Sequence, residues 1–248
     1  MNLAPEDLAQ LQVAKHLLEN PGFVAKVTSI IGMPVEAALR HLPGSVTRQI
    51  ATVTRSALVK ALDAAVFTLK DVPGERSSNL WHKAGIAVSG GVGGFFGFAG
   101  LSVELPLSTS IMLRSIADIA RSHGERIDSE EAKQACLAVF ALGGRSASDD
   151  ESETGYYTVR AALAKSLSDG SIIKLISAIA ERFSVNVGEK AAAQAIPALG
   201  AVGGSLINLA FIDHFQDMAR GHFMVRQLER RYGHDAVQQA YQALPRQG

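Results

Sequence analysis

Charge, cysteine and aromatic side chains are all scarce in this sequence. Charged residues make up 19% of the 248, against roughly 25% in ordinary soluble domains. Lys plus Arg balance Asp plus Glu at 24 each. A chain without a net field offers no bulk attraction to nucleic acid or to an acidic polymer. Its basic residues are interspersed with acids and lack the clustered aromatics that stack on bases, so no nucleic-acid partner is expected. The single cysteine, Cys136, cannot close an intramolecular disulfide. Set in the apolar run ACLAVFAL, it reads as a small core residue of a reducing compartment. The start, MNLAPEDLAQ, carries acids and a proline where a secretion signal needs a basic end and an apolar run. A cytoplasmic protein is expected.

The usual signatures of chemistry are missing as well. There is no His-Glu-x-x-His, no Glu-x-x-His pair, no Gly-x-Ser-x-Gly elbow, and no Gly-Lys-Ser/Thr after the glycine-rich run. His214 and His222 share a helical face but stand about 12 Å apart along the axis, too far to hold one ion. No metal or cofactor is predicted, and the balance leans away from an enzyme.

What remains is almost entirely helical periodicity with Ala and Leu enrichment, which predicts a single all-α domain over residues 1–248. PEDLAQLQVAKHLLEN opens with a first-turn proline and two acids that suit the helix dipole. Short helices are expected at 23–31 and 34–41, making 1–44 a peripheral N-terminal part. Ser45 is the expected N-cap of a helix running to Leu69, and Asp128 with Glu131 has capping-box spacing. Residues 143–155, GGRSASDDESETG, are expected to form an acidic flexible loop. Further helices follow at 156–167 and 171–183, and one long helix, kinked at Pro197, is expected over 189–232.

Two stretches stand apart. No charge occurs between Lys83 and Glu104, or between Lys190 and Asp213, and each stretch reaches the roughly 18–20 residues that could cross a bilayer. The first contains GGVGGFFGFAG. Gly90, Gly94 and Gly97 lie on one helical face there, and Gly200 and Gly204 lie four apart in the second. Three readings are open. The glycines let two central Gly/Ala-rich helices pack closely, with dispersion offsetting about 1 kcal/mol of lost propensity per glycine. Alternatively, Phe95, Phe96 and Phe98 make shallow contact with a membrane lipid. The third reading is a pocket lined by glycine backbone.

Glu104 interrupts the longest uncharged run just ahead of Pro106. It either sits at a helix N-terminus, stabilised by the dipole, or is a buried carboxylate facing a ligand or pairing Arg114. Arg114, Asp118 and Arg121 are spaced as a solvated ladder, as are Asp213, Asp217 and Arg220. If the two apolar helices pack together, Glu104, Arg114, Tyr157, Arg160 and Asn208 converge on one polar cavity.

The segment SGGVGGFFGFAGLSVELPLSTSIMLRSIADIARSHGERIDSEEAKQACLAVFAL resembles the EcsC family, as do YYTVRAALA and IPALGAVGGSLINLAFI; the likeness spans Ser45 to Tyr232. It implies a largely helical bacterial protein acting at or near the cytoplasmic membrane, with an ABC transporter as a candidate partner and no known catalytic set. Glu104 stands where the family pattern has Asp before Leu-Pro. The expected function is a membrane-proximal accessory or apolar-ligand-binding protein. The alternative is an uncharacterised enzyme with its site around Glu104, Arg114, Tyr157 and Arg160.

Overall fold

A computed structural model describes residues 3–19, 23–31, 44–66, 104–143, 155–167, 172–194 and 200–245. All the regular structure among them is helical: α1 Pro5–Glu19, α2 Phe23–Ile31, α3 Gly44–Val66, α4 over residues 104–122, α5 Glu130–Leu142, α6 Tyr156–Leu167, α7 Ile172–Gln194, α8 Gly200–Tyr232 and α9 His234–Ala243. Expectations for residues 34–41, for the first glycine-rich stretch with Gly90, Gly94, Gly97, Phe95, Phe96 and Phe98, and for the acidic segment 144–154 lie outside the described residues.

The organising element is α8, about 50 Å long at 1.5 Å per residue. Helices α1, α2, α5, α7 and α9 pack against it. A second axis is α7, which receives α3, α5 and α6. Between them lies an aromatic core. Phe140 and Phe183 are 4.7 Å apart, Phe183 and Phe215 5.3 Å, Phe211 and Phe215 5.1 Å, and Phe23 reaches Phe211 edge-on at 5.0 Å. Tilted and edge-to-face rings at these separations contribute beyond their buried area. A smaller apolar cluster joins α1, α9, the far half of α8 and the start of α6 through Leu11, Ala14, Tyr156, Val225, Leu228, Val237 and Tyr241.

Four boundaries differ from the sequence reading. Residues 189–232 are not one helix: α7 continues through Glu189 to Gln194 and α8 starts afresh at Gly200, with Pro197 between them outside the described residues. Proline's missing N–H and its clash with the preceding turn favour a boundary over a kink. The helix predicted to end at Phe183 is the first half of α7. At α5 the cap is Ser129 rather than Asp128. Its hydroxyl accepts from the Ala132 N–H at 3.2 Å, which frees Glu131 to meet Arg226 at 2.9 Å. Helix α3 begins at Gly44, so Ser45 lies in its first turn.

Two glycines permit close approach. A Cβ on Gly221 would come within 2.7 Å of Leu18 Cγ and 3.0 Å of the Ala14 carbonyl oxygen on α1. At Gly143 a Cβ would lie 2.8 Å from Phe215 and 2.9 Å from His214 Nε2. This second contact seals the end of α5. The Gly143 carbonyl accepts from Asn186 Nδ2 and His214 Nε2, each at 2.9 Å, and Arg182 Nε donates to the Ala141 carbonyl at 3.2 Å. Carbonyls left over at a helix end are thus satisfied by side chains. No helix among the described residues is long and apolar enough to cross a membrane.

Gly221→Ala sets two effects against each other. Helix propensity favours alanine by about 1 kcal/mol, while forcing α1 away from α8 typically costs about 1–3 kcal/mol. Leu18 meets the added carbon at its branch point and Ala14 meets it with backbone, so strain wins. Urea denaturation is expected to show a lowered midpoint for Gly221→Ala, whereas the same change at Gly188, which has no atom within 4 Å of its Cβ position, leaves it unchanged or raised.

Candidate functional site

The ends of three helices meet at a buried polar island. Glu104 on α4 accepts a hydrogen bond from Lys190 Nζ near the end of α7 at 2.6 Å, with side-chain exposures of 4% and 1%. The same ammonium lies 4.9 Å from the centre of the Phe211 ring on α8. One turn beyond Lys190, Gln194 Nε2 approaches Asn208 Oδ1 at 3.5 Å. Asn208 is fully buried, and its Nδ2 has no hydrogen-bond partner among the described residues. Removing two charges from water is expensive, and only a close pair recovers it. Glu104 and Lys190 therefore hold α4 to α7, while the ring face of Phe211 stabilises the ammonium from α8.

A second polar cluster lies at the other end of α8. Glu229 is the common acceptor. Arg160 reaches both its oxygens, NH1 at 2.7 Å and NH2 at 2.9 Å; the Tyr157 hydroxyl donates at 3.2 Å, and His234 Nδ1 lies 3.0 Å away. Arg160 NH1 also donates to the Tyr156 hydroxyl at 3.2 Å, and that hydroxyl pairs with His222 Nδ1 at 2.8 Å. Burial opposes the Arg160 charge, but the Tyr156 hydroxyl and the Glu229 carboxylate outweigh it, so the guanidinium pKa rises. Burial drives the Tyr156 and Tyr157 hydroxyls up, with Glu229 adding to both. His222 is driven well down by burial and by the nearby Arg160 and Arg226. These shifts keep Tyr156, Tyr157 and His222 neutral and Arg160 charged. This is the electrostatics of a structural joint, not of a group tuned to exchange protons near neutrality.

The five residues expected to converge therefore divide. Glu104 and Asn208 belong to the first island, Tyr157 and Arg160 to the second, and Arg114 lies exposed on α4. Asn208 and Glu229 sit about six turns, roughly 30 Å, apart along one helix. A single cavity shared by all five is thereby excluded, and so is the pairing of Glu104 with Arg114. The expected solvated ladder is also corrected, since Asp118 and Arg121 are buried and bond at 2.5 Å. In the second apolar stretch, Gly200 opens α8 and Gly204 is buried in its second turn. Its proposed partner face, with Gly94, lies outside the described residues.

The sequence reading does not place Lys190, Glu229 or Tyr156 in a site, and weighs His222 only as a metal ligand. Lys190 carried a usable signal, because it bounds the second uncharged stretch as Glu104 bounds the first. Glu229 sits in the charged run RQLERRY and had none. Cys136 is buried, and burial raises its thiol to about 12, far from a nucleophile's range.

Removing one partner of a buried pair strands the other. Lys190→Met is expected to lower unfolding free energy by about 3–5 kcal/mol, and the double variant Lys190→Met/Glu104→Leu to recover most of that loss. Denaturant midpoints for the two variants would disprove the pairing if the single change were silent. The histidines give a pH dependence. Burial holds His214 at about 4 and His222 well below its ordinary 6.5. The unfolded chain takes up protons first, so stability falls as pH drops below about 6.5, by up to about 1.4 kcal/mol per pH unit for each histidine. Replacing His222 by Asn is expected to flatten that slope in thermal melts between neutral and mildly acidic buffer.

A family model described as the EcsC protein family matches residues 25–228, from within α2 to late in α8. No curated protein and no solved structure matches the chain. The two polar islands and the helices that carry them fall inside the matched segment, apart from Glu229 and His234 at its far edge, and the chain belongs to the EcsC protein family.

Proposed function

We propose that this EcsC-family chain is a binding protein of the cytoplasmic membrane face, which offers its uncharged Gly/Phe stretch to lipid or to a lipid-like apolar ligand. The observation that carries the reading is the Glu104–Lys190 pair. The charge that ends the first uncharged stretch and the charge that begins the second are buried against each other. At that junction neither stretch is bounded by a charge facing water, so the usual electrostatic barrier to apolar contact is removed there. Leu107, three residues after Glu104 on α4, and Leu206, in the second uncharged stretch on α8, are exposed at 52% and 44%. The catalytic alternative groups Glu104, Arg114, Tyr157 and Arg160, of which Tyr157 and Arg160 meet at Glu229 while Glu104 pairs with Lys190. A membrane transporter is the protein partner that fits such an accessory.

The test uses the chain's single tryptophan, Trp81, which stands just before Lys83 and the first stretch. Mixed with neutral phosphatidylcholine vesicles at high salt, the protein is expected to cosediment and its tryptophan emission to move to shorter wavelength. Substituting Phe95, Phe96 and Phe98 together by Ser is expected to weaken binding at least tenfold, on the order of one buried phenylalanine's transfer energy. Unchanged emission with no cosedimentation would remove the reading.

A further inference from the structure

Ion pairing is the rule over most of the described surface. Lys26 and Arg220 meet Asp217, Arg126 meets Asp128, Lys133 meets Glu130, Arg226 meets Glu125 and Glu131, and Arg231 meets Asp7. Helix α3 departs from it. From Gly44 through Val66 its sequence carries Arg48, Arg55 and Lys60 against a single acid, Asp63, near its end. All three side chains are exposed, and among the described residues no carboxylate pairs with any of them. Arg48 donates from Nε back to the Gly44 carbonyl of its own helix at 3.4 Å.

Their placement follows from the fold of the helix. Ile50, Thr54, Ala57, Leu58 and Ala61 are buried and fix the inward face. The spacing 48, 52, 55, 59 then runs straight down the outward face, with Arg48, Thr52, Arg55 and the 43%-exposed Val59 in line and Lys60 on its shoulder. The line is about 16 Å long. A row of cations, hydroxyl and one aliphatic side chain on a flat helix face matches an anionic lipid surface: the cations meet phosphate and the aliphatic group meets the interface. It fits nucleic acid poorly, because the exposed face offers no aromatic group for a base to stack on.

We infer that the outer face of α3, through Arg48, Arg55 and Lys60, is an electrostatic docking surface for the anionic headgroups of a bilayer. The inference rests on the membrane reading above, but it assigns a different element and a salt-sensitive mode. Near an anionic leaflet each cation strengthens binding about fivefold, so three together account for a factor on the order of 100.

The test compares the whole protein with its Arg48→Gln/Arg55→Gln/Lys60→Gln variant by cosedimentation. Vesicles are pure phosphatidylcholine or phosphatidylcholine mixed with phosphatidylglycerol, at low and high salt. The wild type is expected to prefer the phosphatidylglycerol mixture at low salt and to lose that preference at high salt. The variant is expected to lose the preference at any salt, with far-ultraviolet circular dichroism and melting unchanged, while keeping salt-resistant binding to neutral vesicles. Equal binding of variant and wild type to the anionic mixture would overturn this inference alone. Absence of binding to either vesicle would overturn both readings. Competition of vesicle binding by an RNA homopolymer at equal phosphate would also overturn it, assigning the face to a soluble polyanion.

Discussion

The contact between Glu104 and Lys190 is where most of the architecture is decided. A carboxylate and an ammonium, each almost wholly out of water, are tolerated only when they touch, because burying either alone costs several kcal/mol. That requirement fixes the start of α4, the end of α7 and, through the Phe211 ring, the face of α8 at once. Apolar packing among these Ala-rich helices is non-directional and would accept several registers. A buried pair accepts one. In a chain with only 19% charged residues, placing two of them inside is a specification device more than a source of stability, and it acts where the apolar stretches would otherwise leave the register loosest.

The same logic repeats along α8. Its far half carries Arg220, which pairs with Asp217 on the same helix, and Arg226, Arg230 and Arg231, which gather Glu125, Glu131 and Asp7 from other parts of the chain. Glu125 shows how the balance is struck. Burial pushes its carboxyl up, but Arg226 and Arg230 outweigh burial and keep it low. Asp7 is held low first by the Tyr232 hydroxyl and then by Arg231, which fastens α1 to the end of α8. One half of α8 is thus held by rings and the other half by ion pairs. A single element serves two interfaces of different chemistry, and the polar half sits close to the smaller apolar cluster that joins the two ends of the described chain.

Helix class, the extent of α6 and the burial of Cys136 were legible because each depends on local periodicity or composition, which a sequence displays directly. Pro197 stands in sequence between the end of α7 and the start of α8, but a kink and a break share the same local signal and differ in what the flanking turns pack against. The failure of the five-residue cavity has a different origin. Glu104, Arg114, Tyr157, Arg160 and Asn208 were grouped by residue type, and type does not encode distance along a helix. Asn208 and Glu229 lie about 30 Å apart along α8, so the groups gathered at one are remote from those gathered at the other. Close approach at a glycine occurs where composition gives no sign of it: Gly221 sits among charged residues, and its need for a missing side chain comes from Leu18 and Ala14 on α1, more than 200 positions away in sequence.

Internal neutralisation also explains how an electrically balanced chain can carry a directional surface. With 24 charges of each sign, most cations of α1, α2 and α4–α8 are absorbed in pairs, and the paired ions cancel at distances beyond a Debye length of about 8 Å. What survives at long range is whatever the pairing leaves over. On α3 the inward face is fully committed to the core by Ile50, Ala57, Leu58 and Ala61, so its outward residues are free of packing duties, and three of them are cations without a carboxylate among the described residues. Net charge is therefore a poor guide to how this protein meets a charged surface. The physically relevant quantity is the residue of unpaired charge on one helix face, and that quantity emerges only after the buried and partly buried pairs have been located.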